Sequence, residues 1–384
     1  MKRYAIWIIV LLLSLIFMSS RQSIEISNRA LIHAVGIDKT DDEYTITLQV
    51  FNSNGSGSGD TPVDPTKPNT KTITNTAPTF SEAIALCENQ LGNYLFFGHN
   101  QVIVLGHDTD FSDPQELLSY FIRNKDNFLG VNVVLAENTA QELLNAKIQA
   151  GTVTIENFKE VIDMYNDKGE TPHCDMVHFL NESMKPDNSV MLPIISVRQS
   201  SESADSSGGN SQSSGSDDSS EDNSIYEIKE SAVVSDGRIV GTLTPQQVSC
   251  INLLTNKTNN SMINIDFNGT PLGLALHKKT ADTSLNADDQ KLVYQSDISV
   301  TANLENNIFT TEDRKNISTL VEQELAKQCN EVFDKVLNEY NADVLGIYRM
   351  TKHYFPKIFL QYKDDIQMLK SNTKLKISVD CITQ

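Results

Sequence analysis

The residues best suited to chemistry in this chain lie in the run Pro172-His173-Cys174-Asp175-Met176-Val177-His178. On a helix, Cys174 and His178 would stand one turn apart, a spacing that suits two ligands of one metal ion. Zinc needs three or four ligands, and no second cluster offers suitable spacing, so no metal site is predicted. His99 follows Gly98 between two apolar runs; a catalytic base there needs a nucleophile, and no nucleophile motif accompanies it. Gly55-Ser56-Gly57-Ser58-Gly59 has the composition of a phosphate loop or nucleophile elbow but neither spacing, and no lysine or helix start follows. The many carboxylates form no pair spaced like that of a glycosidase. No catalytic residue and no cofactor-binding signature is predicted, and the chain is read as non-enzymatic.

Those residues must be held by a regular framework, and the hydrophobic pattern supplies one. Ala30–Gly36 and Glu43–Phe51 read as a hairpin, and Lys71–Thr76 as a third strand. Thr79-x-x-Glu82 and Thr139-x-x-Glu142 are capping boxes that open helices. Asp113-Pro114 opens another, with proline in the first turn. Gln101–Leu105, Val131–Leu135 and Val190–Val197 read as strands. Ile155, Phe158, Ile162 and Tyr165 mark a helix, and Pro172 is expected to begin the next. Farther on, Ser235-Asp236-Gly237 is a hairpin signal. Glu312–Asn341 has one apolar stripe, that of the longest helix. Asp343–His353 reads as a further helix, and Lys374–Cys381 alternates as a terminal strand. The alternation predicts an α+β fold, mixed β-sheets packed with helices.

Composition divides the chain. Residues 199–224 are dominated by serine with Gly, Asp, Glu and Asn and carry no aromatic residue, which predicts a disordered linker. An N-terminal α/β domain is expected over 21–198. A C-terminal α/β region is expected over 225–384, with subdomains about 225–268 and 269–384. The formal charge of −19 predicts repulsion of the body from nucleic acid and from anionic lipid heads, so the membrane tether is expected to be the N-terminal segment. Five cysteines without regular spacing do not make a disulfide framework.

Residues 1–20 are of another kind. Lys2 and Arg3 precede an apolar run from Tyr4 to Met18 broken by Ser14, closed by Ser19, Ser20 and Arg21. This is an export signal, and its apolar faces leave no polar side for water. Positive charge stays in the cytoplasm, so the body is delivered across the membrane. Phe17 and Met18 are a poor fit to signal peptidase, which favours an uncleaved anchor.

Several motifs fall in a definite order: Ala34-Val35-Gly36-Ile37-Asp38, then Phe97-Gly98-His99-Asn100-Gln101-Val102-Ile103-Val104-Leu105-Gly106. Ala232-Val233-Val234, Asp236-Gly237 and Val240-Gly241-Thr242-Leu243 follow. Ala342-Asp343-Val344-Leu345-Gly346 and Phe355-Pro356-Lys357 come near the end. In this order they resemble the C subunits of spore germinant receptors, the Ger(x)C family. The resemblance implies a three-domain arrangement. It also implies a nutrient-sensing role with A and B membrane subunits, on the outer face of the inner membrane of a bacterial spore. Two departures are visible. Ser20, Arg21 and Gln22 stand where the family has a lipid-bearing cysteine followed by Trp-Asp, so no lipidation is expected at Ser20. Phe359 and Tyr362 stand in place of C-terminal tryptophans. The alternatives are an exported solute-binding protein of a transporter or an exported hydrolase. Mass spectrometry of the mature protein is expected to find residues 2–18 retained; a chain starting near Ser20 or Arg21 overturns the uncleaved anchor.

Overall fold

The computed structural model describes residues 28–40, 42–51, 70–124, 127–146, 154–199, 224–288, 291–304, 309–363 and 365–383. The apolar run 4–18, Ser20, the Gly55–Gly59 loop and most of the serine-rich stretch lie outside them.

Two sheets organise the chain. The first holds β1 (Arg29–Lys39), β2 (Tyr44–Phe51), β3 (Thr70–Ala77), β4 (Tyr94–Phe96), β5 (Val102–Leu105), β6 (Asn132–Ala136), β7 (Ser189–Gln199), β8 (Ser224–Ser235) and β9 (Arg238–Leu243). Their order is β3-β2-β1-β5-β6-β7-β8-β9, with β4 beside β1. The centre, β1-β5-β6-β7, is parallel. Parallel strands are covered on both faces and therefore read as unbroken apolar runs. Val102–Leu105 obeys this and is buried throughout.

Helices α1 (Phe80–Leu91), α2 (Pro114–Arg123) and α5 (Met176–Ser183) supply one core through Phe80, Ile84, Leu117, Phe121 and Phe179. On the other face α3 (Ala140–Asn145) and α4 (Thr154–Asp167) bury Leu143, Leu144, Phe158 and Ile162. The caps form where the sequence places them. Thr79 accepts from the Glu82 N–H and Thr139 from the Glu142 N–H. Removing such a cap costs about 1 kcal/mol.

The second sheet is β10 (Asn260–Phe267), β11 (Thr270–Asp288), β12 (Lys291–Asn303) and β13 (Thr373–Thr383), in that order. Against it lie α6 (Pro245–Leu254) and α7 (Thr311–Asp334). Ile317, Val321, Leu325, Cys329 and Val332 form the buried stripe of α7. The short helices α8 (Ile347–Tyr354), α9 (Pro356–Tyr362) and α10 (Ile366–Ser371) close the chain before β13.

Four features depart from the local pattern of the sequence. Residues 225–243, at the head of the expected C-terminal region, pair through β8 with β7 and through β9 with β8, so these strands extend the first sheet. The division near residue 268 falls inside the β10–β11 hairpin, where Phe267 pairs with Thr270. The long helix is α-helical only to Asp334 and continues as a π-helical turn, Lys335–Glu339. That turn lets Tyr340 donate to the Thr242 carbonyl at 2.9 Å, and Lys335 reaches the same oxygen at 3.2 Å. The fourth concerns the helix expected from Asp343. It starts at Ile347, because the Asp343 carboxylate accepts the Ile347 and Tyr348 N–H groups and Gly346 takes a left-handed φ of 76°.

One contact unites two separated motifs. The Asp38 carboxylate on β1 accepts the Ala140 N–H at 2.7 Å and the Gln141 N–H at 3.0 Å, at the start of α3. A methyl group on Gly106 would lie 2.0 Å from the Asp38 Oδ1. Asp38→Ala is expected to destabilise the fold by about 1–3 kcal/mol through the orphaned amides. Gly106→Ala is expected to destabilise it as well. Denaturant titration of both variants and the double should show sub-additivity, since removing the carboxylate relieves the clash; strict additivity sinks the contact.

Candidate functional site

A cavity of about 430 Å³ opens where the first sheet meets the C-terminal helices. It falls within the size range of small-molecule pockets. Its wall takes Ser189, Val190 and Met191 from β7, His178 and Glu182 from α5, and Leu254 and Lys257 from the end of α6. Tyr294 of β12, Leu345, Gly346 and Arg349 complete it.

A buried polar cluster holds this wall together. Asp343 is 2% exposed. Its two carboxylate oxygens take the first N–H groups of α8 at 2.8 and 2.7 Å. Its own N–H donates to the Ser189 Oγ at 3.0 Å. The Ser189 hydroxyl donates to the Asp187 carbonyl at 2.7 Å and lies 3.2 Å from the Ser235 Oγ. Ser189 is therefore committed to structure, with no base beside it to activate it as a nucleophile. Across the cavity, the Tyr294 and Thr283 hydroxyls both donate to the Leu254 carbonyl, at 3.0 and 2.9 Å.

The electrostatics are uneven. Glu182 is engaged by Lys185 at 2.6 Å. Lys257 and Arg349 bring two cations to the same space. Part of Lys257 is open to solvent, yet crowding of its ammonium pushes its pKa down. The Glu182 charge pulls it back up and Arg349 adds to the depression. His178 is held below the usual imidazole range by burial and by the Lys257 charge, which keeps it neutral at pH 7. The arrangement suits recognition of polar or anionic groups. It assembles no nucleophile–base pair.

Asp187 and Asp343 are both buried, and the Asp343 charge acts on Asp187. Burial pushes both carboxyls up, and for Asp187 the Asp343 charge adds to it, taking its pKa to about 6. Asp343 has two amide donors, whereas the buried Asp187 Oδ1 has no partner. Asp187 is therefore the member of the pair whose negative charge is less well supported.

The residues singled out from sequence scatter. Cys174 does not share a helix with His178, because α5 starts at Met176, with Asp175 as its cap. Residues 174–176 instead run beside β6: the Val133 N–H donates to the Cys174 carbonyl, and the Met176 N–H to the Val131 carbonyl. Pro172 accordingly precedes the helix and does not begin it. The Cys174 thiol is buried and its pKa raised by that burial, which makes it a poor ligand. His178 lines the cavity with its Nδ1 4.0 Å from Glu182. Among the described residues no group of three or more His, Cys, Asp or Glu is arranged to hold a metal ion. His99 sits in the β4–β5 turn, edge-on to Phe96 with ring centroids 6.1 Å apart. All five cysteines are buried and unpaired. Sequence reasoning missed Lys257, Arg349 and the role of Asp343. Of these, only Asp343 carried a signal, its place four residues before a helix start.

Comparison with known proteins gives this geometry a context. Residues 22–197 match the family described as "Spore germination protein N-terminal domain". Residues 229–382 match "Spore germination B3/ GerAC like, C-terminal". The chain belongs to the Ger(x)C family of spore germination proteins. Its fold is similar to the structure titled "Crystal Structure of the GerBC protein", with a TM-score of 0.54 at 15% identity, over 91% of this chain and 96% of that one. No curated protein matches the chain. Family membership supports a role as a germinant receptor subunit. Among the described residues no helix is long and apolar enough to cross a membrane.

A carboxyl whose pKa is raised on folding lowers stability as pH climbs from its unfolded value, near 4, through about 6. Asp187→Asn removes that penalty. It is expected to raise stability at pH 7.5 by roughly 1–3 kcal/mol and to change it little at pH 4. Denaturant unfolding at both pH values checks this; an equal effect at each overturns the raised pKa of Asp187.

Proposed function

We propose that this chain is a non-enzymatic C-type subunit of a nutrient-sensing germinant receptor. In this reading residues 4–18 anchor it at the outer face of the inner spore membrane, where it acts with A-type and B-type membrane subunits. The observation that carries the reading is the pair of spore germination matches, N-terminal and C-terminal in the family's order, over almost the whole exported part. The site agrees with it. The cavity offers cations and hydrogen-bonding groups, and its Ser189 hydroxyl is tied to backbone and to Ser235.

Spores lacking this chain are expected to lose the response to at least one nutrient while responding normally to others. Restoring the chain should restore the response. Unchanged germination with every nutrient tried overturns the reading. A multi-turnover reaction by the purified chain would instead establish the exported hydrolase.

A further inference from the structure

The charge of this acidic chain is segregated. Of its 384 residues 50 are Asp or Glu, yet the twenty from Val344 to Lys363 include none. They carry Arg349, Lys352, Lys357 and Lys363, with His353 among them. These residues build α8 and α9, and α9 buries no residue fully. Phe355, Ile358, Phe359 and Tyr362 are partly buried against the C-terminal core. The positions left over point outward, and they pair lysines with large apolar tips. Lys352 and Lys357 are exposed. Leu360 and Tyr354 are each 63% exposed. Lys352 lies over the Phe359 ring at 5.8 Å from its centroid, which keeps its charge on this face.

We propose that the outer face of α8 and α9 docks on the anionic lipid surface of the membrane that holds the chain. A lone exposed leucine needs no explanation. Lysines interleaved with a tyrosine and a leucine on short surface helices are the makings of an interfacial segment. Tyrosine favours the headgroup level, and lysine stems reach past apolar neighbours to phosphate. The charge balance also orients the molecule: an anionic surface repels the acidic remainder and attracts this strip. The headgroup supplies the counter-charge; the leucine and tyrosine tips enter the boundary.

The proposal rests on the membrane location in the reading above and not on the receptor role, which the spore experiment reads separately. Its test uses the full chain carried by vesicles, either of phosphatidylcholine alone or rich in phosphatidylglycerol. Because all five native cysteines are buried, a thiol-reactive environment-sensitive dye should report Leu360→Cys specifically. Tyr354→Cys repeats the measurement beside it, and Leu86→Cys on α1, 40% exposed, serves as the control. In anionic vesicles the dye at 360 and 354 is expected to shift to the blue and to be quenched several-fold more by brominated lipid than in neutral ones. High salt should abolish this. Lys352→Gln and Lys357→Gln should each weaken the contact about fivefold. Equal quenching at positions 86 and 360, or a water-exposed dye in both vesicle types, overturns the proposal. So does protection that appears only when a membrane protein partner is added, whatever the lipid; that result assigns the face to a protein.

Discussion

A carboxylate taken out of water must find donors, or it stays protonated or unfolds its surroundings. Asp343 meets that demand with the two free N–H groups that open α8, groups the helix cannot satisfy internally. Its backbone N–H then spans to Ser189 on β7, and Ser189 touches Ser235 on β8. One side chain thereby fixes where the C-terminal helices begin relative to the first sheet. The cavity wall on that side, Leu345 to Arg349, follows from the same contact. Breaking it would leave a buried acid facing two orphaned amides, so the start of α8 and the adjoining ends of β7 and β8 stand or fall together.

The family motifs gain physical meaning in the same way. Gly36 is small because a methyl group there would sit 3.0 Å from the Leu144 Cδ1 and 3.1 Å from the Ala140 Cβ of α3. Asp38, two residues on, caps that helix, and Gly106 leaves room for the carboxylate. Gly241 serves likewise: a methyl group there would lie 2.3 Å from the Tyr340 ring, whose hydroxyl bonds to the next carbonyl, that of Thr242. Three glycines far apart in the chain are thus explained by three close approaches. In each, the partner is a side chain that closes a seam between elements.

Local signals were legible and long-range pairings were not. Caps at Thr79, Asp113 and Thr139 stand where composition put them, because a cap is decided within four residues. The Asp236-Gly237 turn forms with both residues at positive φ, as the right-handed twist of a two-residue hairpin demands. The pairing of β7 with β8 was hidden, because the serine-rich stretch between them looks like a boundary, while strand pairing is indifferent to the length of chain it encloses beyond a slowly growing entropy. The π-helical turn was hidden as well, since Val336 and Leu337 continue the apolar stripe and only the position of Tyr340 reveals the shift. Lys257 and Arg349 meet across 92 positions of sequence, and neither belongs to a pattern that announces it.

Helix α8 joins the two surfaces on which this molecule can be read. Its first turn offers Arg349 to the cavity, and its last turn offers Lys352, His353 and Tyr354 to the exterior. The helix is only eight residues long, too short to be stable by itself in water. Its place is set by the Asp343 cap, by Ile347 in the core and by the Tyr348–Phe359 contact, with ring centroids 5.1 Å apart. An element so short, held mainly at its first turn, moves as a unit when that turn moves. Only if a cavity occupant and a partner of the outer face both prefer the same seating of α8 would each raise the affinity of the other, and then by the same factor. The route for such linkage would be the one helix that serves both surfaces.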